Sequence, residues 1–205
     1  MTHARSSVTL QPASDIGRRG DLDRDSAGGV ALLLALQEEN YDVAAALINQ
    51  GANVNSITHT GEKALSLATK RNALFVVRLL CDQAHIDINA ADRNGVTALM
   101  HAADYADRYF DPTVLNFLLS SGADAELCDG EGCTALLRAA KGTCYFALEK
   151  LIEGGAETRA LDANGCGAMM LAAKHGNFSV LEYLLQHRDI SLIQEVRGVA
   201  HEGVG

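Results

Sequence analysis

The stretch that decides the fold is Asp92-Arg-Asn-Gly95-Val-Thr97-Ala-Leu99-Met-His-Ala102. Nearly the same pattern returns as Asp129-Gly-Glu-Gly132-Cys-Thr134-Ala-Leu136-Leu-Arg-Ala139. Weaker copies begin elsewhere, so the chain contains five units whose starting points are 33, 34, 37 and 33 residues apart. A period of about 20–50 residues is typical of proteins built by stacking one small structural unit. The units begin at Asp25, Thr58, Asp92, Asp129 and Asp162.

Each unit combines a turn glycine with two short apolar helices. Glycine stands at the fourth position of every unit, where a turn with positive φ favours it. The stretch that follows, such as residues 97–103, predicts a short helix whose alanines allow close approach of a neighbouring helix. A second helix is predicted from apolar spacing, and a Gly-Ala pair predicts its end in three units. The fourth-position glycines are Gly28, Gly61, Gly95, Gly132 and Gly165.

These units resemble the ankyrin repeat, whose pattern is Asp-x-x-Gly-x-Thr-Pro-Leu-His-x-Ala, with two helices and then Gly-Ala-Asp-x-Asn. The segment Gly51-Ala52-Asn53-Val54-Asn55 is a further close copy. The resemblance covers roughly residues 25–193 and implies an all-α solenoid of about five helix-turn-helix units joined by β-turn or hairpin loops. Alanine replaces the family's proline in every unit, and its threonine survives only at Thr97 and Thr134. We therefore expect the family's threonine and histidine side-chain hydrogen bonds to be largely absent.

Composition and charge exclude several other classes of protein. The formal net charge of −9 argues against a general nucleic-acid binder, which usually carries a basic surface. The longest apolar run, residues 30–36, is far shorter than the about 20 residues that a membrane-spanning helix needs. The N-terminus lacks the apolar stretch of a secretory signal, and five cysteines without tight spacing suit a reducing compartment. We expect a soluble protein of the cytoplasm or nucleus, without membrane insertion.

The two ends of the chain fall outside the repeat. Residues 1–24 are interpreted as a flexible tail, with a cap over the apolar helix at residues 30–36 as the alternative. Residues 194–205 are interpreted as a C-terminal tail or a partial cap. The domain organisation expected from the sequence is therefore a tail, a repeat domain over residues 25–193 and a second tail.

The third unit carries four extra residues between its two helices. This segment holds Tyr105, Tyr109 and Phe110 and is interpreted as a lengthened loop whose aromatic rings pack into the stack. The alternative is an anchor for a partner, because interface hot spots favour aromatic side chains. Asp111-Pro112 predicts a helix N-cap followed by proline at the first helical position.

The residue patterns give no positive sign of catalysis. A Gly-rich phosphate loop, a nucleophile elbow and a His-Glu-x-x-His motif are all missing from the sequence. Four cysteines in the C-terminal half lack the Cys-x-x-Cys spacing of a structural zinc site, so they are interpreted as structural thiols. A redox or zinc role is the alternative, and His101 is interpreted as a partly exposed helix residue rather than a ligand. We predict no cofactor, no metal and no enzymatic activity. The cysteines are Cys128, Cys133, Cys144 and Cys166.

The resemblance implies that a partner binds on the concave face, which turn tips and first helices form in that family. The corresponding positions hold six of the 13 Lys and Arg residues that follow residue 24. This pattern indicates a basic stripe and favours an acidic or phosphorylated segment of a protein partner. The alternative is that exposed helix ends favour Lys and Arg in any case. The residues predicted to bind the partner are Lys70, Arg71, Arg93, Asp104, Tyr105, Tyr109, Phe110, Arg138, Lys141, Lys174 and His175.

The function expected from this reasoning is that of a non-catalytic adaptor or scaffold that binds a protein partner in the groove. The alternative is an ankyrin-like portion that targets or inhibits a larger enzyme or complex. One fold serves many functions in such architectures, so the sequence leaves both open.

Overall fold

A computed structural model describes residues 27–109, 111–142 and 145–186 of the chain, except for the side chains of residues 107–109. The two predicted tails, residues 1–24 and 194–205, lie outside the described residues. None of the helices in these ranges combines the length and the apolar character that crossing a membrane would require.

The described ranges contain ten helices, arranged as five inner and outer pairs. The all-α class expected from the resemblance is confirmed, and the extended structure found there is an isolated antiparallel bridge between Ile57 and Lys63. The inner helices are α1 (residues 27–37), α3 (Ala64–Lys70), α5 (Ala98–Tyr109), α7 (Ala135–Lys141) and α9 (Ala168–His175). The outer helices are α2 (Tyr41–Asn49), α4 (Leu74–Cys81), α6 (Thr113–Ser120), α8 (Phe146–Glu153) and α10 (Phe178–Gln186).

Neighbouring units pack through like helices. The inner helices α3, α5, α7 and α9 contact one another in series, and the outer helices α2, α4, α6 and α8 do the same in a second row. The alanine at the eleventh position of each unit is at most 5 % exposed, and its small side chain allows neighbouring helices to approach closely. Leucines such as Leu80, Leu118 and Leu151 are fully buried between the rows. The core is therefore a continuous strip, and each unit depends on its neighbours for burial.

A tight turn, here called the finger, precedes each inner helix from the second unit onward. In the fourth unit the Oδ1 atom of Asp129 accepts hydrogen bonds from the N–H groups of Glu131 and Cys133, both at 2.9 Å. Asp92 and Asp162 accept the equivalent pair of bonds in their fingers. A side-chain oxygen therefore closes the turn from inside, which is the physical reason for aspartate at the first position.

Adjacent fingers are also joined to each other. The N–H of Gly130 donates to the carbonyl oxygen of Asn94 at 2.7 Å, and the N–H of Ala163 donates to that of Glu131 at 3.0 Å. These bonds connect the third, fourth and fifth units along one edge of the stack.

The predicted turn glycines are confirmed in four units and wrong in the first. Gly61, Gly95, Gly132 and Gly165 have φ between 74° and 85°, whereas Gly28 lies within helix α1. The start of α1 instead packs closely against the loop that contains Ser56. A Cβ atom on Gly29, next to Gly28, would lie 1.9 Å from the Oγ atom of Ser56. The glycines of the first unit thus serve close packing rather than a turn.

The lengthened loop predicted for the third unit is also wrong. Helix α5 has 12 residues against seven in α3 and α7, so the extra residues extend the inner helix through Tyr105 to Tyr109. Ala102, Ala103 and Ala106 are at most 2 % exposed, so the buried small-residue stripe continues and favours another turn of helix.

The start of α6 differs from the prediction by one position. The carboxylate of Asp111 accepts the N–H of Thr113 at 3.0 Å, as a capping side chain does. Pro112 nevertheless occupies the N-cap itself, and Thr113 is the first helical residue.

The two surviving threonines cap their helices. The Oγ1 atom of Thr97 accepts the N–H of Met100 at 3.4 Å, and that of Thr134 accepts the N–H of Leu137 at 3.3 Å. The N-cap residues of α3 and α9, Lys63 and Gly167, make no such side-chain bond. Among the inner helices α3, α5, α7 and α9, this capping bond therefore occurs in the two units that keep the threonine.

Candidate partner-binding groove

Three adjoining clefts on the inner-helix side of the stack form one continuous surface, here called the groove. The middle cleft, of about 1020 Å³, lies between the third and fourth units and shares Asp104 with one neighbour and Lys141 with the other. Fingers and inner helices supply its walls, as the resemblance implies. Nine of the predicted binding residues line these clefts: Lys70, Arg71, Arg93, Asp104, Tyr105, Arg138, Lys141, Lys174 and His175.

The two remaining predicted residues are not placed in the groove. The backbone of Tyr109 forms the end of α5, but its side chain lies outside the described part of the chain, as does all of Phe110. Their predicted role as a partner anchor stays a prediction.

The centre of the groove is a three-residue charge cluster that spans two units. The guanidinium of Arg138 donates from Nη2 to Asp104 at 2.6 Å and from Nη1 to Asp129 at 2.8 Å. Asp104 belongs to α5 of the third unit, whereas Arg138 and Asp129 belong to the fourth. The cluster therefore fastens the two units together at the floor of the groove.

Asp129 is the most buried member of this cluster, with its side chain 4 % exposed. Burial by itself raises the pKa of this carboxyl, but hydrogen bonds from the Cys133 N–H and from Arg138 more than offset that effect. The pKa of Asp129 is consequently lowered, and the group is a carboxylate at neutral pH. It closes the finger and holds Arg138 at the same time.

Other cations of the groove are paired as well. Lys70 forms an ion pair with Glu62, Arg71 with Glu39 at 2.7 Å, and Lys141 with Glu131 at 2.7 Å. The hydrogen bond from Lys70 lowers the pKa of Glu62. Two exposed cations of the groove, Arg93 and Lys174, have no carboxylate within 4.0 Å among the described residues.

The groove therefore carries both signs of charge instead of a uniform basic stripe. The sequence reasoning counted cations at the concave positions and did not pair them with the carboxylates that they contact, which are Glu39, Glu62, Glu131, Asp104 and Asp129. A usable signal was present, because Glu62 and Glu131 stand on the same finger tips that supply groove positions.

His101 lies on α5 between Lys70 and Arg138. Burial, together with the positive charge of Lys70, lowers its pKa to about 4, so its imidazole is neutral at pH 7. Its Nε2 atom is buried and makes no hydrogen bond to the described residues. Its intermediate exposure agrees with the interpretation of a partly exposed helix residue, and its polar ring lies at the groove floor.

The cysteines are dispersed within the described residues. Cys133 is fully buried, Cys166 is half-buried and Cys128 is exposed, and all three are free thiols. Burial raises the pKa of Cys133 and thereby disfavours its thiolate. No cluster of three or more metal-ligating side chains occurs in the part of the chain that the structure describes, and Cys144 lies outside it.

Comparison with known proteins places the chain among repeat proteins. The family described as "Ankyrin repeats (3 copies)" matches residues 32–109 and again residues 105–194. A protein of Saccharomyces cerevisiae described as "Probable 26S proteasome regulatory subunit p28" is 31 % identical over 116 residues, which are 56 % of this chain and 50 % of that protein. The match thus spans about half the length of the curated relative. Ankyrin repeats mediate protein–protein interaction, and by the family match over most of its length this chain belongs to the ankyrin repeat family.

Proposed function

We propose that this chain is a non-catalytic adaptor that holds a protein partner along the groove. The observation that carries the proposal is the continuity of that surface, since the middle cleft shares Asp104 with the cleft on one side and Lys141 with the cleft on the other. Together the three clefts run from the first to the fifth unit. Intramolecular ion pairs hold most of its charged side chains in place, so little side-chain freedom is lost when a partner binds. A rigid, polar, elongated surface of this kind suits recognition of a folded partner or an extended segment.

The chemistry of the partner is inferred from the cations of the groove that form no ion pair among the described residues. Arg93 and Lys174 are exposed and lack an ion-pair partner among the described residues, so they are the natural contacts for an acidic or phosphorylated segment. Lys70, Arg71, Arg138 and Lys141 are already partly neutralised by carboxylates of this chain, so they attract such a segment less strongly. The proposed partner segment therefore places its acidic groups at Arg93 and Lys174 and complementary groups of both signs between them.

Differential capture from native cell extract tests this proposal. The groove variant carries Arg93→Glu and Lys174→Glu, and the matched control carries Arg159→Glu, an exposed arginine that lines none of the three clefts. A partner of the groove is captured by the wild type and by the control but not by the groove variant. Its affinity is then measured with both proteins purified, by titration calorimetry.

The salt dependence of that affinity tests the acidic segment separately. Surface charges are screened beyond about 8 Å at physiological ionic strength, so contacts to Arg93 and Lys174 must weaken as salt is raised. If the affinity does not change with salt, the proposal of an acidic segment in the partner is wrong, whereas the proposed adaptor function is unaffected. Equal capture by all three proteins removes the groove as the binding surface.

A second candidate function follows from the yeast relative. Its description as a probable regulatory subunit of the 26S proteasome favours a role of this chain in the same kind of assembly, in the cytoplasm or nucleus. Co-sedimentation with 26S proteasomes purified from the native cell tests it, with the groove variant as the comparison. Absence of this chain from the proteasome fraction excludes that assembly and leaves other partners of the groove unaffected.

A further inference from the structure

The first unit exposes an apolar surface at the N-terminal end of the stack. Val30 and Leu34 lie one turn apart on α1 and are 54 % and 55 % exposed, and Val43 on α2 is 53 % exposed. We call these three residues the first-unit face. Residues at i and i+4 of a helix share one side, so the two α1 residues form a single patch.

The position of Val43 is buried in every later unit. Val76, Val114, Ala147 and Val180 occupy the position of Val43 in the following outer helices and are at most 2 % exposed. Leu67 and Leu171, which correspond to Leu34, are 8 % and 1 % exposed, whereas His101 and Arg138 at the same position of the third and fourth units are half-buried. The part of the face around Val43 is therefore surface that the later outer helices bury, and the Leu34 position adds apolar surface that the second and fifth units also bury.

A solenoid normally ends in a capping element with a polar outer side, because an open end leaves apolar surface in water. The first-unit face lacks such a polar side. The chain segment nearest to it is residues 1–26, which continue directly into α1 at Ala27.

These preceding residues do not repeat the ankyrin pattern. One unit length of 33 residues before the apolar pair Leu47-Ile48 stand Ser14 and Asp15, so the second helix of a further unit is not encoded there. The segment nevertheless contains four large aliphatic residues among its polar ones: Val8, Leu10, Ile16 and Leu22.

We propose that residues 1–26 pack on the first-unit face and act as its cap, through these four aliphatic side chains. Reach is sufficient, because the 11 residues from Ile16 to Ala27 can span up to about 36 Å, whereas the 11 residues of α1 extend only about 16 Å. Covalent attachment gives the segment a high effective concentration at the face, so a modest apolar contact is enough to keep it there.

The test uses the full chain and a double-mutant cycle. The cap variant replaces Val8, Leu10, Ile16 and Leu22 by serine, the face variant carries Leu34→Ser, and a third protein combines both sets of changes. The matched control replaces Arg18 and Arg19 by serine, which alters the same segment without removing apolar surface. Hydrogen exchange of the α1 and α2 amides is measured in each, with the α7 amides as the internal reference.

The proposal expects exchange in α1 and α2 to become about tenfold faster or more in the cap variant and to stay unchanged in the control. Adding Leu34→Ser to the cap variant should produce little further change, because interacting groups are not additive. Exchange in α7 should remain constant throughout, which separates loss of the cap from global unfolding.

Two results overturn the proposal. One is wild-type exchange in the cap variant while the full chain is monomeric by sedimentation, which means that the face stays open. The other is a concentration-dependent dimer whose dissociation constant rises with Leu34→Ser and not with the cap substitutions, which assigns the face to a second copy of the chain.

Discussion

The junction between the third and fourth units and the junction between the first and second units solve the same packing problem by different means. At the former, Arg138 bridges two carboxylates and the fingers are tied by the bond from Gly130 to Asn94. At the junction between the first and second units, an ion pair joins Glu39 to Arg71, and both side chains are about half exposed. Apolar contact carries the junction between the first and second units, whereas buried polar bonds reinforce the junction between the third and fourth units.

This difference teaches that equivalent positions in a repeat do not have equivalent energies. Val43 and Val114 occupy the same place in their units, yet only Val114 is buried. The neighbour on each side sets the contribution of a residue, and the unit's own sequence sets only which contacts are available.

The largest expected effect comes from removing the carboxylate at the centre of the polar junction. Asp129→Ala leaves two finger N–H groups and one bond of Arg138 without a partner, and we expect a loss of about 3 kcal/mol in the free energy of unfolding. Urea denaturation measures it. Glu131→Gln, an exposed change in the same finger, is the control and should cost less than about 0.5 kcal/mol. Similar values for both would mean that the finger bonds contribute little to the junction.

Acid should weaken the region around His101 before it weakens the carboxylates. Because the folded-state pKa of His101 is about 4 and the unfolded value is about 6.5, the unfolded chain binds an extra proton between those pH values. Stability is therefore fully present above about pH 6.5 and falls as the pH drops towards 4, by up to about 3 kcal/mol.

Chemical denaturation of His101→Gln across this pH range checks the effect, with His175→Gln on the exposed end of α9 as control. The wild type and the control should share the same slope, and the His101 variant should be flatter. A slope that survives in His101→Gln assigns the acid sensitivity to other groups.

Two glycines allow the cost of an added side chain to be compared between a finger and the turn that joins α9 to α10. Gly132 and Gly176 have φ of 76° and 71°, so alanine is strained at both. A Cβ atom on Gly132 would also lie 2.6 Å from the backbone nitrogen of Ala163 in the next unit, whereas one on Gly176 meets open space. We expect Gly132→Ala to cost about 2 kcal/mol and Gly176→Ala about 1 kcal/mol by thermal or urea unfolding. Equal costs would show that the finger-to-finger approach is readily relaxed.

The smallest effect compares the two ion pairs directly. Double-mutant cycles should give a coupling of about 1 kcal/mol for Arg138 with Asp104 and about 0.3 kcal/mol for Arg71 with Glu39, because the latter pair is more exposed. Raising the salt concentration should reduce the second coupling more than the first. A larger coupling at Arg71 would reverse the order of the two junctions.

Much of the fold could be predicted because it repeats locally. The Gly-Ala stops at Gly51, Gly122 and Gly155 all have positive φ, and the alanine positions are buried as their spacing indicated. Such features depend on residues within one unit, and five copies reinforce the pattern. The prediction failed at Gly28, in the first unit, which has no preceding repeat unit in the described residues. It failed again at α5, because the third unit is longer than the others.

The groove was harder to predict because its character depends on contacts between units. The sequence predicted that Lys70, Arg138 and Lys141 lie on the inner-helix side, where the clefts are, but their charge partners come from fingers or from the adjacent inner helix. Pairing across a gap of 34 residues, as between Asp104 and Arg138, leaves no local signature. Because the sequence reasoning counted only the cations, it predicted their positions but not the carboxylates that neutralise them.

The row of finger-to-finger hydrogen bonds has a mechanical consequence. One bond joins Asn94 to Gly130 and the next joins Glu131 to Ala163, so each contact between neighbouring units is a separate joint in a series. Small rotations at successive joints can then add up, so the curvature of the whole surface adjusts while every helix pair stays intact.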